Sequence, residues 1–382
     1  MEANSEGLET LRKEINSIDD EMLRLYEKRL AVSEKIAEEK AKLGMPVFDA
    51  EREKKVIYRL TEQVPEDMKL YIKELYETIF ATGKAYQNRF MTKRSETEEN
   101  IRELIKNGLP VFPVSGSAAC QGVYGANSGL AAEKLFAVPD VTYFKNFEGV
   151  FSAVDKGLCE FGVLPIENSA AGSVSEVYDL MKKYRFSIVK SVRIRIEHCL
   201  AAVKGAKLSD IKKVVSHPQA LSQCQKYLKT LGGITEVSEN TAVAAAAVAE
   251  AGDKSVAALC SVRSAERYGL EILNKNAEDS DGNYTRFILI TKDLKIYKGA
   301  NKISVMTNLA HTPGSLNRIL GSFYALGLNL TKIESRPTAG FEFTFYFDFE
   351  GDVTDENVLR LISDLENGSD KFVFLGSYCE TL

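Results

Sequence analysis

From Leu8 to Phe90 only Gly44, Pro46, Pro65 and Gly83 interrupt the chain, while the apolar residues Leu8, Leu11, Ile15, Ile18, Met22 and Leu25 step by three and four. That spacing draws one stripe along a long α-helix and fits no strand, whose period is two. Gly44 and Pro46 end this helix, Asp49 is placed to cap a second, and Pro65 separates a third that runs past Tyr71. The region is all helical. A stripe of this length needs a facing surface, either a hairpin partner or a second copy of the chain.

At position 29 the stripe meets an arginine and then resumes with Val32 and Ile36. A cation among apolar residues needs an anionic partner, because burying it unpaired costs several kcal/mol, by a rough count. Lys40 lies about three turns further, about 16 Å along the same face, so two long cationic side chains can converge there. Arg12 lies roughly 25 Å from Arg29 and about 100° round the helix, and reaches the same small anion only from another chain. A coiled-coil hairpin with internally paired charges accounts for the same spacing.

The chain has 382 residues, enough for two or three domains at roughly 150 each. Its net charge of −5, with basic and acidic residues intermixed, offers no stripe for a phosphate backbone, and nucleic acid is not expected as a partner. Six scattered cysteines without a CxxC indicate reduced thiols, neither a zinc site nor a disulfide framework. The charged start MEANSEGLETLRKE and the lack of a long apolar run predict neither a signal peptide nor a membrane span, hence a cytoplasmic protein. Three dispersed histidines leave little material for a triad or a metal centre.

Met91–Gly108 is too polar for a core and reads as a linker with one helical piece. From Val111 to Ile290 short apolar strands alternate with helices, the pattern of an α/β domain. Four helices there begin with polar, small-residue loops: GANS (125–128), ENSAAGS (167–173), SHPQ (216–219) and ENT (239–241). Each is ordinary capping taken alone; together they suit a cleft for a small polyanion beyond the carboxyl ends of the strands. No Walker or dinucleotide motif is present, so a nucleotide is not favoured. In DGNYTRFILI (281–290) a strand opens on Thr285 and Arg286. An arginine there can hold a carboxylate and a threonine can deliver a proton, although the pair also suits a plain strand edge. From Asn301 the order strand, helix, strand, strand, helix, strand describes a ferredoxin-like α+β domain, with Phe341, Phe343, Phe345 and Phe347 alternating onto one face.

The motifs PIENSAAGSV, SHPQALSQC, NTAVAA and NYTRF, in that order, strongly resemble prephenate dehydratase. Arg12, Arg29, Lys40, Asp49, Arg52, Glu53 and Gln87 are similar, residue by residue, to the all-helical chorismate mutase domain, with Gly83 where some relatives have serine. Glu334-Ser335-Arg336-Pro337 matches the phenylalanine-sensing motif of an ACT domain, and Gly314-Ser315-Leu316-Asn317 stands where Gly-Ala-Leu-Val is usual. The resemblance implies a multidomain chain: chorismate mutase (1–92), a linker (93–110), a two-lobed domain like type II periplasmic binding proteins (111–296) and an ACT domain (297–382).

Chorismate would be rearranged to prephenate, then dehydrated and decarboxylated to phenylpyruvate, with phenylalanine as inhibitor, no cofactor or metal, and a dimer or tetramer as the assembly. In the mutase, Lys40 and Gln87 would stabilise the breaking ether oxygen while Arg12, Arg29, Asp49, Arg52 and Glu53 bind substrate. In the dehydratase, Thr285 would be the acid, with Arg286, Phe287, Asn168, Ser169, Ser216, His217, Gln219, Asn240 and Thr241 around the substrate; His217 serves better as a cap than as an acid. Phenylalanine would sit between Gly314-Ser315-Leu316 of one chain and Asn329-Leu330 of a neighbour, with Glu334, Ser335 and Arg336 in support. Two other readings are open: an arogenate dehydratase whose helical part serves dimerisation, and a sensor without chemistry.

Overall fold

The computed structural model describes residues 3–45, 47–91, 94–279, 282–309, 314–337, 343–369 and 371–381. It forms two compact units, one of Met1–Lys106 with Met306–Val373 and the other of Asn107–Val305 with Phe374–Leu382. This division differs from the sequential domains expected: the N-terminal helices share a unit with most of the C-terminal α+β region.

In the first unit, α1 (Ala3–Leu43), α2 (Ala50–Thr61) and α3 (Lys69–Met91) are the three expected helices. Asp49 caps α2 as read, its carboxylate accepting from the Arg52 N–H at 2.9 Å. The apolar stripe on α1 stays largely exposed in the single chain, from Leu8 at 50% through Ile15 at 57% to Ile36 at 44%. Isolated exposed leucines are ordinary, whereas here the exposed apolar row follows a helix of 41 residues.

The linker holds a helix, α4 (Glu96–Lys106), that is docked and not loose. Ser95, Glu98 and Ile101 are buried. The Glu98 carboxylate takes hydrogen bonds from Arg102 Nε at 2.7 Å and from Ser363 of the helix Glu356–Asn367, and Arg102 also grips Glu356 with two bonds of 2.8 and 2.6 Å. Polar composition misled the reading because the buried polar atoms satisfy one another.

Strands Leu330–Pro337 and Phe343–Glu350 form an antiparallel hairpin, with helices Ser315–Ala325 and Glu356–Asn367 in the same unit. The ring of Phe323 packs 5.8 Å from Phe347 and 5.1 Å from Phe349, which together form the aromatic core of the hairpin. Phe343 and Phe345 are half-buried, and Phe341 lies outside the described residues.

The second unit has two lobes. In one, the later part of the strand Phe372–Thr381, then Ser187–Arg195, Tyr284–Thr291, Phe161–Asn168, Ser115–Gln121 and Val138–Phe144 lie in that order across a mixed sheet. Ala118, Phe136, Phe161, Val163, Val192 and Leu289 are fully or almost fully buried in its core. The other lobe is a five-stranded sheet ordered Glu271–Asn274, Cys199–Ala202, Val256–Cys260, Lys213–Ser216 and Ile234–Val237. All six cysteines are free thiols, five of them buried, as their scatter implied.

Candidate active sites

Between the lobes of the second unit lies a cleft of about 390 Å³. Two antiparallel strands set its floor, because the register pairs Thr285 with Asn168 and Arg286 with Glu167. Neighbours along a strand face opposite ways, so the pairing decides what faces the cleft. Thr285 and Phe287 line it, while Arg286 is buried away from it, its Nε 2.7 Å from the Glu167 carboxylate. The expected substrate-binding arginine is thus neutralised by the adjoining strand.

Asn168 is the hub. Its Oδ1 accepts from the N–H groups of Ala170 and Ala171 at 3.0 and 2.9 Å, which fixes which end of the amide is nitrogen. Nδ2 donates to Asn283 Oδ1 at 2.7 Å and to Thr285 Oγ1 at 2.9 Å. Asn283 Nδ2 then donates to Gln223 Oε1 at 2.9 Å, and His198 Nε2 lies 3.1 Å from that same oxygen. Since a carbonyl oxygen only accepts, His198 carries its proton on Nε2. Thr285 receives a hydrogen bond, so its own hydrogen is free to point elsewhere, and chained bonds of this kind strengthen one another. Burial holds the imidazoles of His198 and His217 below the ordinary histidine value of 6.5 and keeps both neutral.

All four helix-start loops border this cleft: Asn127 and Ser128, Asn168 and Val174, His217 and Gln219, and Glu239, Asn240 and Thr241. Asn240 caps its helix by accepting from the Val243 N–H at 2.8 Å, and His217 caps through Nδ1, accepting from the Gln219 N–H at 3.3 Å. Two expected contacts do structural work instead. Ser216 is fully buried and donates to Leu259 O at 2.6 Å, and Ser169 ties its hairpin by donating to Gly282 O and accepting from the Tyr284 N–H. The sequence reading missed His198, Gln223, Asn283, Gln121 and Phe147. Gln223 and Asn283 stand inside quoted motifs, SHPQALSQC and GNYTRF, whereas nothing around His198 marks it.

In the first unit α1 packs on α3. Arg29 points its guanidinium at α3, 5.8 Å from the Phe80 ring centroid, and a Cβ on Gly83 would stand 3.1 Å from Arg29 Nη1. Nη1 and Gln87 Oε1 are buried without a hydrogen-bond partner among the described residues. The orphaned cationic nitrogen of Arg29 calls for an anion, and the orphaned Gln87 oxygen, which only accepts, calls for a donor such as a hydroxyl. Lys40 Nζ donates to Val47 O at 2.7 Å at the α1–α2 turn, and Glu53 pairs with Lys84 at 2.8 Å. Asp49, Arg52 and Arg12 are exposed, Arg12 beside the uncovered stripe.

Gly314, at φ 83°, opens the helix Ser315–Ala325, and with Asn317 it borders a pocket of about 720 Å³ shared with Phe48, Glu53, Phe80 and Lys84. The Arg318 guanidinium lies 4.7 Å from the Phe48 ring centroid and Lys84 Nζ 5.1 Å. Ser315 is buried and accepts from Arg318 at 3.1 Å. Leu316 and Leu330 are half-buried, and Asn329 is exposed and donates to Glu350 at 2.9 Å, outside that pocket. Glu334 and Arg336 share one half-buried face of their strand while Ser335 faces outward.

Two family models match the chain, prephenate dehydratase over residues 118–295 and chorismate mutase type II over residues 11–88. A bifunctional chorismate mutase/prephenate dehydratase from Aquifex aeolicus is 31% identical over 99% of both chains. An arogenate dehydratase/prephenate dehydratase from Arabidopsis thaliana is 35% identical over 77% of this chain and 80% of its own length. A prephenate dehydratase from Arthrobacter aurescens, solved in complex with L-Phe, superposes with a TM-score of 0.64 at 30% identity, covering 69% of this chain and 89% of that one. With a bifunctional relative matched end to end and both domains recognised in order, the chain belongs to the bifunctional chorismate mutase/prephenate dehydratase family.

Proposed function

We propose that the first unit rearranges chorismate to prephenate between α1 and α3, and that the second converts prephenate to phenylpyruvate in the interlobe cleft. The observation that carries the second step is the fixed direction of the Asn168 bond, which leaves the Thr285 hydroxyl hydrogen free for a substrate oxygen. Thr285 Oγ gives its proton to the leaving ring hydroxyl. The carbon–oxygen bond breaks with its electron pair on oxygen, and the ring carboxylate leaves as carbon dioxide, its bonding pair entering the ring as aromaticity forms. Thr285 regains a proton from water. The helix start at Asn240–Thr241 offers N–H groups to a carboxylate, a role for which Arg286 is poorly aimed.

The first step needs neither nucleophile nor base. It needs a compact conformer and donors preset for charge on the ether oxygen: the orphaned Arg29 nitrogen suits a substrate carboxylate, and the Lys40 ammonium and Gln87 amide N–H groups suit the ether oxygen. The exposed stripe on α1 supports a homo-oligomer in which Arg12 crosses to a partner's site. The left-handed Gly314 at a helix start supports the ACT-like region as the phenylalanine site.

Thr285→Val separates the two activities. Phenylpyruvate formation from supplied prephenate should fall on the order of 10²–10⁴-fold, with chorismate consumption as the control for folding. Dehydration at the wild-type rate would remove Thr285 from the mechanism.

A further inference from the structure

One acceptor in the dehydratase cleft has no use in the scheme above. His198 is 4% exposed, lines the cleft, and has its Nε2–H engaged by Gln223, yet its Nδ1 is buried with no hydrogen-bond partner among the described residues. With the proton on Nε2, this nitrogen presents a bare lone pair. Leaving such an acceptor unmet in a buried site costs about 1–3 kcal/mol, so a donor is required of whatever fills the cleft. Prephenate offers few candidates. Its two carboxylates are ionised at neutral pH and its side-chain ketone has no hydrogen, so the ring hydroxyl is its only donor.

From this lone pair we infer that His198 is a further catalytic residue of the dehydratase, its Nδ1 accepting a hydrogen bond from the leaving hydroxyl while Thr285 protonates that oxygen. The inference rests on the dehydratase reading of the cleft. No proton passes to His198. As the oxygen takes the Thr285 proton, its own O–H becomes more acidic than in bound substrate, and a hydrogen bond to a neutral imidazole strengthens. The interaction is therefore stronger in the transition state than in bound substrate and raises kcat more than it lowers KM. Gln223 has a second duty in this scheme: by occupying Nε2–H it holds the tautomer whose Nδ1 is free.

Two substitutions divide the ring between them. In His198→Gln the side-chain nitrogen can replace Nε2 and keep the bond to Gln223, but the Nδ1 acceptor is gone. In His198→Asn the side-chain oxygen stands near Nδ1 and the link to Gln223 is lost. With prephenate as substrate, His198→Gln should lose about 10–100-fold in kcat with KM within about threefold, and His198→Asn should recover a substantial part of that loss. A purely structural role predicts the opposite order, since only the glutamine keeps the network. Wild-type kcat in His198→Gln, or His198→Asn poorer than His198→Gln, overturns the assignment. If wild-type protein itself does not consume prephenate, the reading of the cleft fails first, so the two failures are distinct.

Discussion

Asn168→Asp tests the hydrogen-bond polarity on which the dehydratase account depends. The aspartate matches the amide in shape and keeps an oxygen for the Ala170 and Ala171 N–H groups. It cannot donate, so the bonds to Asn283 (2.7 Å) and the Tyr284 carbonyl (3.2 Å) are lost and the one to Thr285 (2.9 Å) reverses its direction. At about 1 kcal/mol for each lost bond the stability loss is about 2 kcal/mol, with some added repulsion between the new carboxylate and Asn283 Oδ1. For a unit of this size that lowers the melting temperature by roughly 4–8 °C, leaving the protein folded at assay temperature. The kinetic effect should be larger. The Thr285 hydroxyl, now facing a carboxylate, turns its hydrogen toward it and away from the substrate, and kcat for prephenate falls on the order of 10²–10⁴-fold. The double variant Asn168→Asp/Thr285→Val should be no slower than Thr285→Val alone, because both changes disable one donor. A spectrophotometric assay of phenylpyruvate, run beside a thermal melt, reads both effects. Activity within threefold of wild type in a variant with the expected melting shift would refute the claim that Asn168 prepares Thr285.

Mixed oligomers of Arg12→Ala and Arg29→Ala chains, each inactive as a mutase, should regain part of wild-type activity, because one of the shared sites is then intact; no recovery in verified mixed oligomers contradicts a crossing Arg12. Gly314→Val forces a branched side chain into left-handed backbone at a cost of about 1–2 kcal/mol, so phenylalanine binding by calorimetry should weaken about tenfold or be lost, and unchanged affinity would place the effector elsewhere. His198 and His217 titrate below 6.5 in the folded state, so the unfolded chain binds more protons in that window and stability present above pH 6.5 is lost as the pH falls below it. Denaturant midpoints should therefore be lower at pH about 5.5 than at about 7.5, with burial lowering His198, the Gln223 hydrogen bond opposing it and the neighbouring His217 adding to it; equal midpoints contradict this.

Periodicity made the helices and the C-terminal element order legible, since a stripe at three and four or an alternation at two is a local property. Motif order located the cleft: Thr285, Phe287, Asn168, His217, Gln219, Asn240 and Thr241 all reach it. The role of Arg286 was not legible, because which strand neighbour faces the cleft depends on a register with Glu167 that lies 119 positions away in sequence. His198 was hidden for a related reason. Its significance comes from Gln223 on another element and from an atom without a partner, neither of which leaves a pattern in the sequence. The docking of α4 was missed because charge was read as solvation, whereas Glu98 is buried against Arg102 and Ser363.

The central claim is that one chain carries two successive chemistries, and the most direct measurement is phenylpyruvate formation by purified protein given chorismate alone. Wild-type protein should form it after a lag in which prephenate accumulates. Arg29→Ala should form none from chorismate while still converting supplied prephenate. Chorismate consumed without phenylpyruvate, or prephenate refused while arogenate is converted, would contradict the account.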